Sequence, residues 1–296
     1  MNTEKLFVVG AGFMGMGIVQ NAAVKGFEVT VYDISEMNLE KGKTALEKNL
    51  AKEVAKGRMS QENKDKFLKN VSFTNKLREC KDADYIIEAI VENEKLKIET
   101  FEMIDNFAKE DAILASNTSS ISITTLASHI EDPSRFIGMH FFSPVPKMAL
   151  MEVVKGLQTS QKTIDKATKF GKKLGKKCIL SQDEPGFIIN RMLLPMLNEA
   201  CLLLERGVGS IEEIDLGAKT GLNHPMGPFE LVDMIGLDVE LAVMEVLHTV
   251  IGDQKYRPAL LLRKMVDAGY LGRKSGKGFY IYDADGNKTP NNRLLS

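Results

Sequence analysis

The chain has 296 residues, more than a single hydrophobic core usually serves, so two domains are expected. Its 39 basic and 40 acidic residues balance, which argues against nucleic acid as the main partner. No apolar run approaches the length of a membrane span, and three widely spaced cysteines suggest neither a disulfide framework nor a metal site. The first strand is predicted close to the N-terminus and leaves no room for a signal or transit peptide, so we expect a cytoplasmic protein without membrane contact.

A glycine-rich turn follows the first predicted strand. The strand at 5–9 leads into Gly10, Gly12 and Gly15, which are spaced as Gly-x-Gly-x-x-Gly. In such turns the first glycine permits the tight bend, the second lets a pyrophosphate approach the backbone, and the third lets the helix pack on the strand. The helix predicted over 13–25 would offer its N-terminal N–H groups to the phosphates. The pattern therefore predicts a dinucleotide-binding site.

Asp33 indicates which dinucleotide is bound. It ends the second predicted strand, at 28–32, where a carboxylate can accept hydrogen bonds from a ribose diol and would repel a 2′-phosphate. No arginine follows it, so NAD is favoured over NADP. A turn that is merely structural is the alternative, and the two flanking strands and the acid argue against it.

The two halves of the chain predict different kinds of elements. Residues 1–183 alternate between strands and helices, which indicates an α/β domain with a doubly wound, mostly parallel sheet of the Rossmann type. Residues 36–69 are polar and lysine-rich, and we interpret them as a projecting helical hairpin. Residues 184–296 show helical patterns, so we predict an all-α C-terminal domain for substrate binding and dimerisation. The remaining strands are predicted at 71–74, 84–88, 112–115, 135–140, 150–154 and 177–180, and the C-terminal helices at 187–207, 210–219, 227–250 and 256–268.

The C-terminal helices carry more apolar surface than one small core needs. Leucine, methionine and cysteine surround much of helix 187–207, and segment 231–251 is similarly apolar. A helix that is apolar all round must be buried. An ordinary helical core would bury part of this surface, and we expect a second subunit to cover the rest, which predicts a homodimer. Ser210, with Glu213 three residues later, is a predicted helix N-cap.

Four polar residues are candidates for the chemistry. Ser119 and His140 each follow or end an apolar strand, which places them at the carboxyl edge of the sheet, where ligands bind in open α/β folds. Glu152 lies inside an apolar strand, where a charge is costly unless it is paired, and His140 is its natural partner. Asn190 falls in the first turn of the long helix. A histidine held by a carboxylate transfers protons, as alcohol oxidation requires, while Ser and Asn can hydrogen-bond the reacting oxygen.

Each of these residues also has a plainer interpretation. His140 could make a local hydrogen bond at a strand end, and Ser119 could cap a helix that begins at Ile121. Asn190 could likewise be a helix cap. Spacing alone leaves open whether the four residues converge.

Seven stretches of the sequence carry a resemblance to a known family, and they are spread in order along nearly the whole chain. They are 10–15, 88–93, 116–120, 138–146, 183–191, 224–231 and 272–280. With these stretches the chain resembles the 3-hydroxyacyl-CoA dehydrogenases, specifically the short bacterial 3-hydroxybutyryl-CoA dehydrogenase type. A small departure is Ser143, where relatives often carry Asn.

The resemblance implies NAD-dependent interconversion of (S)-3-hydroxybutyryl-CoA and acetoacetyl-CoA, within fatty acid and butanoate metabolism. It implies His140 as catalytic base, Glu152 as its partner, and Ser119 and Asn190 as ligands of the substrate oxygen. It also implies cofactor contacts beyond the three glycines and Asp33. These contacts are Phe13, Met14, Ala89, Glu92, Lys97, Asn117, Ser119, His140 and Lys274.

The lysine-rich segment fits an acyl-CoA substrate. Lys41, Lys48, Lys52 and Lys56 have helical spacing and share roughly one face, which could receive the phosphates of coenzyme A. We expect Lys52 and Lys56 to make this contact. A solvated basic face, balanced by neighbouring glutamates, is the alternative.

Two other functions remain open. One is a free hydroxy-acid dehydrogenase, such as the L-gulonate type, on the same scaffold; activity on a free acid without CoA would support it. The other is a non-enzymatic dinucleotide sensor, which tight NADH binding without turnover would support.

Overall fold

The structure is a computed structural model that describes residues 4–295. The chain forms two compact units that divide between Glu184 and Pro185. The roles assigned to the two halves stay predictions.

The N-terminal unit is built on an eight-stranded sheet. Its strands are β1 (Lys5–Val9), β2 (Glu28–Tyr32), β3 (Val71–Thr74), β4 (Tyr85–Glu88), β5 (Ile113–Ser116), β6 (Phe136–Phe141), β7 (Leu150–Lys155) and β8 (Lys177–Gln182). They lie in the order β3-β2-β1-β4-β5-β6-β7-β8, and β6 and β7 form the antiparallel pair among otherwise parallel neighbours. This arrangement confirms the predicted mostly parallel, doubly wound sheet.

Helices flank this sheet. They are α1 (Phe13–Val24), α2 (Glu36–Ala55), α3 (Gln61–Lys69), α4 (Glu94–Asp105), α5 (Ile123–Ala127) and α6 (Gln161–Lys173). Leu6 to Val9 of β1 and Ile18 and Val19 of α1 are buried, as expected where a central parallel strand is covered by a helix. The lysine-rich segment forms two helices, α2 and α3, as predicted. Gly57, with φ of +68°, allows the chain to turn after α2.

The C-terminal unit is helical, as predicted. Its helices are α7 (Ile189–Glu205), α8 (Ile211–Gly221), α9 (Pro228–Ile235), α10 (Leu237–Ile251) and α11 (Leu260–Asp267). The Ser210 hydroxyl accepts from Glu213 N and the Glu213 carboxylate accepts from Ser210 N, so the predicted cap is confirmed as a capping box.

Two helix predictions in this unit were wrong in their bounds. The helix predicted over 227–250 is broken at Gly236, whose φ of +108° no helix accommodates. The helix predicted from 256 begins at Leu260, because Pro258 disfavours helical backbone at the residue before it.

A small hairpin must be added to the predicted all-helical C-terminal unit. Strands β9 (Tyr280–Tyr282) and β10 (Lys288–Pro290) pair antiparallel. Buried Asp233 accepts from Phe279 N and Tyr280 N at 2.9 and 2.8 Å, so α9 holds the start of the hairpin. The hairpin was missed because its two strands are only three residues long.

Candidate active site

The glycine turn lies at the point where the strand order reverses, between β1 and β4. Gly10 follows β1 with φ of +110°, and a Cβ there would lie 2.7 Å from the carbonyl oxygen of Ala89, which follows β4. The two loops therefore meet at the carboxyl edge of the sheet, where open α/β folds bind ligands. A Cβ on Gly12, in contrast, would meet nothing within 4 Å. The residue that should admit a pyrophosphate thus faces open space.

The N-terminus of α1 can receive an anion. Gly12 is its N-cap and supplies no side-chain hydrogen bond, and Phe13 beside it is exposed. The first N–H groups of the helix and its positive dipole end are therefore available to phosphate oxygens. These features fit a bound dinucleotide.

Asp33 is fixed beside this turn. One carboxylate oxygen accepts from Ala11 N at 2.9 Å. The other accepts from Ser35 N at 2.9 Å and from the Asn38 side chain at 3.2 Å. The acid therefore helps to hold the turn in addition to its predicted contact with a ribose.

His140 and Glu152 form a buried pair. They stand directly opposite each other in the antiparallel pair of β6 and β7, so their side chains share one face of the sheet. His140 Nδ1 lies 2.6 Å from Glu152 Oε2, and the two residues are 7% and 0% exposed. A carboxylate at Nδ1 selects the tautomer whose lone pair is on Nε2 and stabilises the imidazolium. The arrangement can accept and return a proton.

Ser119 lies in a loop that Glu92 organises. One oxygen of the Glu92 carboxylate accepts from the backbone N–H of Ser119 at 3.0 Å and of Ser120 at 3.2 Å. The same oxygen accepts from the Thr118 hydroxyl at 2.5 Å. Burial disfavours the ionised acid, but Lys97 and these donors outweigh it, so the pKa of Glu92 lies below its usual value.

Lys97 is buried between two carboxylates. Its ammonium lies 2.5 Å from Glu88 and 3.3 Å from Glu92, and the side chain is 1% exposed. Glu88 also accepts from the Ser116 hydroxyl at 2.6 Å. The predicted cofactor contact of Lys97 stays a prediction, although this burial favours a role in holding Glu92.

Asn117, directly after β5, contacts the strands on both sides of it, β4 and β6, at the same edge. Its side-chain oxygen accepts from Phe141 N at 2.9 Å, next to His140, and its own N–H donates to Glu88 O at 2.8 Å. Because the oxygen is engaged, the amide NH₂ is the group that a cofactor would meet.

The helix-cap alternatives for Ser119 and Asn190 are not observed. Thr118, not Ser119, accepts from Ile121 N, and Ser122 is the N-cap of α5. Asn190 is half-buried in the first turn of α7, where Ile188 occupies the cap position. Asn190 belongs to the C-terminal unit, as does Lys274, whose ammonium lies 2.5 Å from Asp238.

A basic cleft of about 910 Å³ opens between α1, α2 and the loop at 144–147. Lys52 and Lys56 line it, as does Lys41, whereas Lys48 does not. Glu53 is the acid among its lining residues. The cleft therefore carries a strong excess of positive charge, to which Lys25, Arg58 and Lys147 also contribute.

The sequence analysis did not single out three residues that make hydrogen bonds around the Ser119 loop and its neighbouring strands. Glu88 and Ser116 end adjacent strands and are fully buried, and Asp183 accepts hydrogen bonds from the start of α5. A charge at the end of an apolar strand was the available signal for Glu88, because it needs a partner for the same reason as Glu152. Ser116 and Asp183 carried no such signal.

Within residues 4–295, no helix is both long and apolar enough to cross a membrane. The same residues bring no three His, Cys, Asp or Glu side chains into a metal-binding group.

Comparison with known proteins identifies the family of both units. The NAD-binding domain of 3-hydroxyacyl-CoA dehydrogenase matches residues 5–184, which confirms NAD as the cofactor. The C-terminal domain of the same family matches residues 186–282. The 3-hydroxybutyryl-CoA dehydrogenase of Clostridioides difficile is 48% identical, over 94% of this chain and 99% of its own length.

Comparison with solved structures identifies the same family. The (S)-3-hydroxybutyryl-CoA dehydrogenase PaaH1 of Ralstonia eutropha superposes with a TM-score of 0.92 at 48% identity, over 95% of this chain and all of that chain. A diketoreductase that acts on dicarbonyl compounds superposes with a TM-score of 0.81 at 28% identity, over 95% of this chain and all of that chain. The chain therefore belongs to the 3-hydroxyacyl-CoA dehydrogenase family, as its sequence motifs predicted.

Proposed function

We propose that the protein interconverts (S)-3-hydroxybutyryl-CoA and acetoacetyl-CoA with NAD as cofactor. The names of its relatives supply the substrate, and the buried His140–Glu152 pair at the carboxyl edge of the sheet carries the proposal. Strands β1 and β5 end at the same edge, where the glycine turn follows β1 and the Ser119 loop follows β5.

In the proposed mechanism His140 is the general base. Glu152 holds the Nδ1 proton, so Nε2 accepts the proton of the substrate hydroxyl group, and Glu152 stabilises the resulting imidazolium. The hydroxyl of Ser119 and the amide of Asn190 hydrogen-bond the same substrate oxygen as it becomes a carbonyl. The turn formed by Gly10, Gly12 and Gly15 would hold NAD, which would supply the acceptor for the hydride of carbon 3 of the substrate. In reduction, His140 returns the proton to the oxygen.

The proposed cofactor contacts follow the geometry of the turn. Phe13 and Met14 begin α1 and would present backbone N–H groups to the pyrophosphate. The Asp33 carboxylate would repel a 2′-phosphate, so NADH should be preferred over NADPH. Ala89, Glu92 and Asn117 lie on the loops that follow β4 and β5, on the other side of the strand-order reversal.

The basic cleft is the proposed site for the nucleotide end of coenzyme A. Lys52 in the last turn of α2 and Lys56 directly after this helix line the cleft, where several cations accompany a single lining acid. Lysine binds phosphate as a point charge, and several together attract the multiply charged CoA nucleotide. The solvated-face alternative explains the charge but not the concave shape.

We further propose a cytoplasmic homodimer that forms through the C-terminal unit. Met192 of α7 and Val250 of α10 are 64% and 66% exposed in the single chain. Large exposed apolar side chains on a helical unit are typical of subunit contacts. Light scattering should give twice the chain mass of 32.8 kDa, and a monomer would contradict the proposal.

The first test is the oxidation of NADH by acetoacetyl-CoA, followed by the loss of NADH absorbance. NADPH and the His140→Gln variant are run beside it. We expect turnover that prefers NADH and falls by about 100-fold or more in the variant, because general acid–base catalysis is worth that much. A folded protein without turnover on this or a longer acyl-CoA would refute the substrate class.

A second candidate is a dehydrogenase of non-CoA substrates, such as free hydroxy acids. The similarity to a diketoreductase of dicarbonyl compounds favours it, because the same scaffold there acts on molecules named without CoA. Turnover of a free hydroxy acid with a higher kcat/KM than that of 3-hydroxybutyryl-CoA would establish it. The sensor alternative predicts NADH binding with no turnover of either.

A further inference from the structure

Asp183 binds the start of α5, close to Ser119 in the chain. One of its carboxylate oxygens accepts from Ile123 N at 2.9 Å. The other accepts from Thr124 N at 2.7 Å and from the Ser122 hydroxyl at 2.8 Å. Three donors therefore converge on this one carboxylate and fix its orientation.

This contact adds to the ordinary cap of α5. Ser122 is already the N-cap and accepts from Thr125 N at 3.1 Å. Asp183 takes the N–H groups of Ile123 and Thr124, which the cap leaves without a partner in the helix. A helix of five residues has little stability of its own, so an external carboxylate at its positive end contributes substantially to its position.

The loop between β5 and α5 is therefore held at both ends by carboxylates from other segments. Glu92, on the loop after β4, binds the backbone of Ser119 and Ser120. Asp183, which directly follows β8, binds the residues from Ser122 onwards. The hydroxyl proposed to bind the substrate oxygen belongs to Ser119, at the Glu92 end of this loop and three residues before Ser122.

We propose that Asp183 is a positioning residue for the reaction: it sets the place of the Ser119 hydroxyl by fixing the start of α5. The inference rests on the proposed role of Ser119 in binding the substrate oxygen. Asp183 itself touches neither substrate nor cofactor in this assignment.

The test compares Asp183→Asn with Asp132→Asn. Asn keeps the size of the side chain but removes its charge and the acceptor capacity of one atom. Asp132 is a matched control, because it accepts from Ser134 N at 3.0 Å at the start of a different short turn. Asp183→Glu, which keeps the charge but moves the carboxylate by one methylene group, replaces Asp183→Asn if that variant does not fold, and the same loss of protection is expected.

Hydrogen exchange measures whether Asp183 holds the loop, without any substrate. We expect amides of 119–124 to exchange about tenfold faster in Asp183→Asn and unchanged in Asp132→Asn, because a lost charged hydrogen bond is worth at least that factor. Equal protection of these amides in parent and Asp183→Asn would overturn the proposal.

A double-mutant cycle with Ser119→Ala tests the link to catalysis. We expect Asp183→Asn to lower kcat about tenfold in the parent, since small displacements of a catalytic group are costly, and to have little further effect in Ser119→Ala. KM for NADH should not change. Additive losses of kcat would overturn the proposal. If the parent does not reduce acetoacetyl-CoA, the proposed function fails, and the exchange measurement decides the role of Asp183 alone.

Discussion

Gly15 packs so closely on Gly10 that a Cβ on Gly15 would lie 1.9 Å from the carbonyl oxygen of Gly10. No side chain fits there without moving the backbone of β1 or α1. Gly12, two residues from Gly10, has empty space in the direction of its missing Cβ. Within one motif, Gly15 is thus required by packing, whereas Gly12 leaves room for a ligand.

Alanine substitutions should separate these two requirements. Gly15→Ala should lower the free energy of unfolding by about 1–3 kcal/mol or more, the usual cost of overpacking. Gly12→Ala should leave Tm unchanged but weaken NADH binding by roughly tenfold or more, because the new methyl group occupies the path of the pyrophosphate. Thermal unfolding and NADH fluorescence titration measure the two effects. Parent-like NADH affinity in Gly12→Ala would contradict the assignment of the turn.

Glu152→Gln should lower kcat by roughly 100-fold or more and leave the Kd for NADH unchanged. The amide keeps the shape of the side chain but cannot stabilise the imidazolium that forms on His140. Steady-state kinetics and an NADH titration measure these quantities. The control is the double variant with His140→Gln, which should be no slower than His140→Gln alone, because the two residues act as one unit. A Glu152→Gln enzyme within about twofold of the parent kcat would remove the pair from the mechanism.

Reversing two charges in the basic cleft should weaken the binding of the CoA substrate and leave the binding of NADH unchanged. Lys52→Glu with Lys56→Glu should raise KM for acetoacetyl-CoA by about tenfold and leave KM for NADH unchanged, and the defect should shrink as salt screens the charges. The matched control is Lys43→Glu with Lys48→Glu on the same helix, since neither residue lines the cleft. Equal KM values in the two double variants would favour the solvated basic face.

Glu240 should make the protein less stable as pH rises. It is fully buried in α10, neither of its carboxylate oxygens has a hydrogen-bond partner among the described residues, and burial raises its pKa to about 8. Because the pKa is higher in the folded state than in the unfolded state, folding favours the protonated acid. The stabilisation of the folded state by this protonated acid is fully present below about pH 4.5 and is lost as the pH rises towards 8.

Glu240→Gln should remove this pH dependence. The gain in unfolding free energy over the parent should grow between pH 5 and pH 8, with an upper limit of roughly 5 kcal/mol. Denaturant unfolding across this pH range measures the difference. Glu245→Gln is the control, because this exposed acid of the same helix pairs with Arg263 at the surface. A constant difference between Glu240→Gln and the parent would show that Glu240 is already ionised in the folded protein.

Elements that depend on neighbouring residues were predicted well. The strands, the glycine turn and the Ser210 cap each follow from a pattern within a few residues. The break at Gly236 shows the limit of such patterns, because apolar residues continue on both sides and their periodicity favoured one helix. The backbone of Gly236 ends α9 all the same, beside Asp238 and Lys274.

The candidate site was predicted where a local conflict pointed to it. Glu152, a charge inside an apolar strand, required a partner, and His140 was the available one. The same reasoning would have paired Glu88 with Lys97, nine residues later. Asp183 offered no such conflict, because its hydrogen-bond partners are 59 to 61 residues away along the chain.

The sequence by itself determined the family, the kinds of elements and the residues able to do the chemistry, because turn, capping and burial preferences act between neighbours. Only the tertiary structure decided which charges are buried together and which backbone N–H groups they hold. Asp183 at the start of α5 and the hydrogen bond from Phe141 N to the Asn117 side chain are examples. Such contacts join segments that meet only when the sheet and helices pack, so no local pattern encodes them.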